Sequence, residues 1–200
     1  MIKNVIFDCG QVLVHYVPEY MVRQYVSNEP DVALLTEVVF DRLYWNKLDE
    51  GTITNEETLE LCHERLPKRL WELCDEIYYN WIYNIPEIEG MSDLIKHIKK
   101  DFGVKAYLLS NISKYFAENA NKVEILSLLD GCVFSSSIGI VKPDKGIYEH
   151  LLNTYGLVAN ECIFIDDRAE NIEAARSIGM HGYIFDGNAQ KLKEELDKIL

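Results

Sequence analysis

The stretch CIFIDDRAENIEAARSIGMHGYIF, Cys162–Phe185, holds one complete structural unit. Cys162-Ile163-Phe164-Ile165 is a short apolar run of strand length. Residues 169–178 then carry apolar positions at helical spacing, and His181-Gly182-Tyr183-Ile184-Phe185 forms a second apolar run. A strand, a helix and a strand joined by short links make a βαβ unit, which requires parallel strands. Outward from this unit the same alternation recurs. A helix near 90–101 precedes Val104–Leu109, a further helical region precedes Cys132-Val133-Phe134, and a helix near 144–155 precedes Cys162. A charged amphipathic helix closes the chain, and residues 2–7 read as one more buried strand. Continuous apolar strands alternating with helices predict an α/β protein with a doubly wound parallel sheet, covered on both faces.

One segment breaks the alternation. From Pro18 to Trp81 there is no buried-strand pattern; apolar residues such as Leu59, Cys62, Leu66, Leu70, Leu73 and Ile77 fall at helical spacing. Thr54 and Glu57 have the spacing of a capping box, and Asp49-Glu50-Gly51 reads as a turn. The expected organisation is a core of residues 1–14 and 86–200, with an all-helical cap subdomain, residues 15–85, inserted after the first strand.

Ligands of such sheets bind beyond the carboxyl ends of the strands. VIFDCGQVLV, Val5–Val14, delivers Asp8 there. The second strand delivers Ser110 and Asn111. The third is followed by Ser135-Ser136-Ser137, Gly139 and Val141-Lys142-Pro143, and the fourth by Asp166 and Asp167. Together these suit phosphoryl transfer. A carboxylate attacks phosphorus, a hydroxyl and a lysine hold the transferring oxygens, and an acid pair holds a hard cation with oxygen ligands.

Composition limits the alternatives. Two hundred residues, 48% of them hydrophobic, suit one domain with a real core. No apolar run reaches the ~18 residues of a membrane span. A net charge of −13 argues against nucleic acid and anionic membranes, and favours a divalent cation. Five scattered cysteines without a CxxC pair read as a reduced, cytoplasmic protein, and nothing suggests more than a monomer or weak dimer.

Phe7-Asp8-Cys9-Gly10-Gln11-Val12-Leu13, Leu109-Ser110-Asn111, Val141-Lys142-Pro143 and Phe164-Ile165-Asp166-Asp167 with Asn171 and Gly179-Met180 together resemble the four motifs of the haloacid dehalogenase-like hydrolases. The longer run GIVKPDKGIYEHLL and the Phe164–Met180 segment are similar to the branch holding bacterial alpha-D-glucose-1-phosphatase and the phosphatase domain of soluble epoxide hydrolase. The resemblance implies a Rossmann-like core, a helical cap, and hydrolysis of a small phosphorylated metabolite, a sugar phosphate, with Mg²⁺ or alternatively Mn²⁺. It implies Asp8 as nucleophile, Ser110, Asn111 and Lys142 as phosphate holders, and Asp8, the Gly10 carbonyl, Asp166 and Asp167 as the metal set, with Asn171 supporting Asp167 one helical turn away.

The first motif departs from the family pattern. Most of these phosphatases carry a second Asp where this chain has Gly10. That Asp protonates the leaving oxygen and later activates water, work worth about 10²–10⁴-fold. Its absence fits a sugar 1-phosphate, whose hemiacetal oxygen leaves more easily, or a proton from elsewhere. His15 is one source, because it follows the nucleophile on the same segment and an imidazole can carry a proton. His15, Tyr16 and Arg42 are expected to reach the substrate. Trp45, Trp71, Trp81, Tyr78 and Tyr79 are expected to pack the cap helices; His63, His97, His150 and His181 lack metal-ligand spacing and read as structural. Cys9 lacks the CxxxxxR loop of a cysteine phosphatase. Two further readings stay open: a metal-independent 2-haloacid dehalogenase, which needs no second Asp, and a non-enzymatic binding protein of the same fold.

Overall fold

A computed structural model describes residues 1–200, apart from the side chain of Asn84. Five strands, β1 (Asn4–Phe7), β2 (Lys105–Ser110), β3 (Gly131–Phe134), β4 (Cys162–Asp166) and β5 (His181–Ile184), form one sheet in the order β3-β2-β1-β4-β5. Every pairing is parallel, with Phe7 level with Leu108 on one side and Ile165 on the other. The chain winds outward from β1 to β3, then crosses to β4, so the topology reverses beside β1. The crevice at that reversal is where such sheets bind ligands.

Alternation along the strands divides the core. Val5, Phe7, Leu108, Ile163 and Ile165 face one way, toward Met91, Ile95 and Ile98 of α6 (Met91–Asp101) and Leu192 and Leu196 of α11 (Ala189–Ile199). Ile6, Tyr107, Leu109 and Phe164 face the other, toward Ile147, Tyr148 and Leu151 of α9 (Lys145–Tyr155) and Ile172 and Ala175 of α10 (Ala169–Ser177). Burial on both faces is what makes these strands unbroken apolar runs. Between β2 and β3 the expected helical region is α7 (Lys114–Asn119) with two 3-10 turns, and a short α8 (Ser135–Ile138) follows β3.

Among the described residues, 15–85 hold no strand; their α-helices are α1 (Pro18–Arg23), α2 (Glu29–Val39), α3 (Arg42–Glu50), α4 (Asn55–Arg65) and α5 (Trp71–Asn80). The capping box forms as expected. Thr54 Oγ1 accepts from Glu57 N at 3.1 Å, and Glu57 Oε2 accepts from Thr54 N at 2.9 Å. The chain leaves and re-enters the sheet side by side: His15 N donates to the Pro86 carbonyl at 2.8 Å and Ile88 N to the Leu13 carbonyl at 2.9 Å. The Asp49-Glu50-Gly51 turn is the end of α3, where Gly51 adopts a left-handed φ of 69°. A Cβ there would stand 2.9 Å from the Ser136 carbonyl oxygen, so glycine lets α3 close onto α8. No helix among the described residues is long and apolar enough to cross a membrane.

Candidate active site

Asp8 stands one residue beyond β1, its backbone N–H donating to the Ile165 carbonyl at 2.9 Å, so the central strand pair aims it into the crevice. Ser110, the last residue of β2, donates from Oγ to Asp8 Oδ1 at 2.8 Å. Lys142 is buried and its Nζ lies 2.8 Å from Asp8 Oδ1 and 2.7 Å from Asp166 Oδ2. Its backbone is clamped by Asn111: Asn111 Nδ2 donates to the Lys142 carbonyl at 2.9 Å, and Lys142 N donates to Asn111 Oδ1 at 2.7 Å. Asp166, fully buried, accepts from Arg168 N at 2.9 Å and from Asn171 Nδ2 at 3.0 Å on each oxygen. Residues from four strand ends thus meet in one network.

Electrostatics leave this network short of positive charge. Burial raises the Asp8 carboxyl above its ordinary range, and Lys142 and its hydrogen bonds offset only part of this while Asp166 adds to it. Asp167 is raised by burial, then by Asp166 and Asp8. Burial alone would lower the Lys142 ammonium, but the charges of Asp8 and Asp166 outweigh it, so the lysine is held protonated. Oxygens of Asp8, Asp166 and Asp167 lie within 4.8 Å of one another. Three carboxylates face one ammonium, and like charges this close favour a bound cation.

The network floors a cavity of about 210 Å³. Asp8, Gly10, Ser110, Asn111, Lys142 and Asp167 line it, with Asn171 beside them. Tyr16 and Arg42 also reach it, from the helical side. His15 does not: its side chain is exposed and is not among the lining residues, because His15 N is tied to Pro86 and the chain turns outward there. Position 15 is therefore a poor place from which to supply a proton. Ser110 and Asn111 lie ahead of the helix that follows β2. Ser113 caps α7, accepting from Phe116 N at 3.3 Å, and the Asn111 side chain is committed to Lys142.

Gly10 does not have a positive φ, and an added Cβ would meet only Tyr16 Cβ at 3.6 Å, ordinary contact. Steric need does not explain glycine there; the strained backbone is at Gln11, a non-glycine with a φ of 59° whose N–H closes a tight turn onto Val14. Cys9 is buried, and burial followed by the Asp8 charge pushes its thiol up, so it stays neutral and is no nucleophile.

The aromatic residues divide. Trp45 and Trp81 wall the cavity, with ring centroids 5.3 Å apart, and Tyr16 packs edge-on against both. Trp71 instead stacks on His63 at 4.7 Å, and Tyr78 is buried. His63 lies 2.7 Å from Asp75 with Cys74 nearby, a grouping that its spacing in sequence does not announce. Asp49 is the cavity residue that pattern reading passes over. It lies four residues after Trp45 on the buried side of α3, an acid on an otherwise apolar face, and that is the signal by which it can be found.

The chain is 28% identical to the sesquiterpene phosphatase of Aspergillus oryzae over 90% of this chain and 88% of that protein. It is 25% identical to D-ribitol-5-phosphate phosphatase of Bacteroides thetaiotaomicron, covering 100% and 99%. A predicted haloacid dehalogenase-like hydrolase from Porphyromonas gingivalis shares the fold with a TM-score of 0.74, at 24% identity, over 100% of this chain and 98% of that one. The family model for haloacid dehalogenase-like hydrolases matches residues 2–179, from β1 past the Asp166 network, and the chain belongs to that family.

Proposed function

We propose that the protein is a phosphatase that hydrolyses a small phosphate monoester through a phosphoryl group carried on Asp8. The observation that carries this reading is the pairing of Asp8 with Lys142 and Ser110 on the floor of the cavity. Both contacts fall on Oδ1, so Oδ2 is the oxygen left to attack phosphorus. Lys142 and Ser110 hold the carboxylate still and supply positive charge and a donor where phosphoryl oxygens gather. Water then attacks the phosphorus, the bond to Asp8 breaks, and the carboxylate is restored.

The residues fit Mg²⁺. The donors are hard oxygens, as Mg²⁺ requires, and they outnumber the local positive charge. Asn171 Oδ1 is buried with no hydrogen-bond partner among the described residues, an acceptor left spare beside the acid cluster. Asp8, Asp166 and Asp167 would hold the ion, with the Gly10 carbonyl as a further ligand. When bound, the ion supplies charge that shields the phosphate from the carboxylates. A Bacteroides thetaiotaomicron relative in fold has been crystallised with magnesium and inorganic phosphate. Asp167→Ala should therefore weaken Mg²⁺ binding by at least about tenfold, read by titration calorimetry, and EDTA should silence hydrolysis of an aryl phosphate. Hydrolysis indifferent to EDTA would remove the metal from the reading; turnover of a 2-haloacid in EDTA without turnover of the phosphate would favour dehalogenase chemistry, and no turnover under any condition the binding-protein reading.

Helices α1–α5 act as the cap, and the cavity beneath them sets the leaving group. A sugar or polyol phosphate is favoured by Asp49 and Arg42, which can bond hydroxyls. A second reading, an apolar alcohol phosphate, is favoured by the walls of Val14, Trp45, Trp81, Ile85, Ile112 and Phe116. A panel of sugar 1-phosphates, polyol phosphates and prenyl-type phosphates separates the two by kcat/KM. Preference for the hydroxylated members is the expected outcome; preference for the apolar ones would shift the reading to the second. Unpaired thiols throughout the chain support a reducing, cytoplasmic setting.

A further inference from the structure

We infer that Asp49, delivered by the helical segment, is the proton-transfer group of this active site and takes the place of the acid missing at Gly10. The inference rests on the phosphatase reading above.

Asp49 is 8% exposed and lines the cavity that Asp8 floors. None of the hydrogen bonds or ion pairs found among the described residues engages its carboxyl, although a buried polar group normally has a partner. Tyr16, which also lines the cavity, has a buried Oη with no hydrogen-bond partner among the described residues. A carboxyl free of protein partners and an unpartnered hydroxyl, both on the wall of the cavity that Asp8 lines, are available to a ligand's polar atom.

The position is fixed from the core. Ser135 Oγ donates to the Asp49 carbonyl at 2.6 Å and accepts from Ile112 N at 2.9 Å, tying the end of α3 to the loop after β2. Gly51 lets the backbone press against Ser136. An acid tied to the loop after β2, the strand beside the nucleophile's, can meet the leaving oxygen reproducibly.

Its chemistry suits the task. Burial pushes the Asp49 carboxyl up to about 7; Arg42 opposes this, Asp8 adds to it, Lys142 opposes and Glu50 adds. The end of a helix, where carbonyl dipoles converge, also favours the neutral acid. Tyr16 is raised by burial and then by Asp49, and lowered by Arg42. A catalytic acid works best with a pKa near the working pH.

The proton balance closes. In the first step Asp8 attacks phosphorus, the bond from phosphorus to the leaving oxygen breaks, and neutral Asp49 gives its proton to that oxygen. In the second, water attacks the phosphorus of the aspartyl-phosphate, the bond to Asp8 breaks, and the Asp49 carboxylate takes the water's proton. Inorganic phosphate leaves and Asp49 is neutral again.

The test compares wild type, Asp49→Asn and Asp49→Asn/Gly10→Asp, all checked for folding by circular dichroism, on an alkyl and an aryl phosphate across pH 5–9. Asp49→Asn should lose about 10²-fold or more with the alkyl ester. With the aryl ester it should show a burst of phenol followed by slow turnover, because only the second step still needs the proton acceptor. The wild-type decline above pH 7 with alkyl esters should vanish in Asp49→Asn. Gly10→Asp should restore part of the rate, since an added Cβ meets only ordinary contact there. Absence of a phenol burst with an unchanged pH profile would overturn the inference and leave Asp49 a packing residue; an undiminished rate would overturn it too. A wild type inactive on both esters would instead overturn the phosphatase reading itself.

Discussion

Asp8→Asn should abolish turnover while the protein stays folded. The amide keeps the shape of the carboxyl, and its oxygen still accepts from Ser110 Oγ and Lys142 Nζ, which lie 2.8 Å away in the native site. Lys142 also keeps Asp166 as a charged partner. What is lost is the nucleophile. Removing one from an enzyme whose groups act as a unit costs on the order of 10⁶-fold in a well-studied protease, and a loss of about 10⁴-fold or more is expected here. Residual turnover above about a tenth of wild type would show that phosphorus is attacked by something else. Circular dichroism and a denaturant midpoint close to wild type complete the prediction.

Lys142→Ala should damage both activity and stability. The ammonium is buried between two buried carboxylates, so its removal leaves Asp8 and Asp166 without a counter-charge. Breaking a buried pair from one side typically costs about 3–5 kcal/mol, because the remaining charge is stranded. Loss of a group that stabilises transferring oxygens costs about 10²–10³-fold in rate. The denaturant midpoint should therefore fall markedly in metal-free buffer and recover in part with Mg²⁺, which supplies positive charge to the same carboxylates. Unchanged kcat/KM and an unchanged midpoint would reduce Lys142 to a loop lysine.

The sequence was most informative where physics ties pattern to place. The sheet was legible because strands buried on both faces must be apolar throughout, as in Val5-Ile6-Phe7 and Cys162-Ile163-Phe164-Ile165. Asp8, Ser110, Lys142 and Asp166 were legible because residues that follow parallel strands converge at one edge. What could not be read depends on contacts between distant segments. Asn111 clamps the Lys142 backbone across 31 positions, and Ser135 grips Asp49 across 86. Neither bond leaves a local signature. His15 was misleading for the opposite reason. It is close to Asp8 in sequence, but the turn through Gln11 and the pairing with Pro86 carry its side chain away from the cavity. Asp49, 41 positions from Asp8, is brought to the cavity by the fold of the helical segment.

The central claim is that Asp8 carries the phosphoryl group, and chemical trapping tests it most directly. Borohydride reduces an acyl phosphate to an alcohol, which converts a phosphorylated aspartate into homoserine. Enzyme mixed with an aryl phosphate and Mg²⁺, quenched with borohydride and digested, should yield homoserine at position 8. Samples lacking substrate, treated with EDTA, or carrying Asp8→Asn should yield none. Recovery of unmodified aspartate at position 8 during active turnover, in wild type and in the slow-turnover Asp49→Asn enzyme alike, or homoserine at another position, would contradict the account.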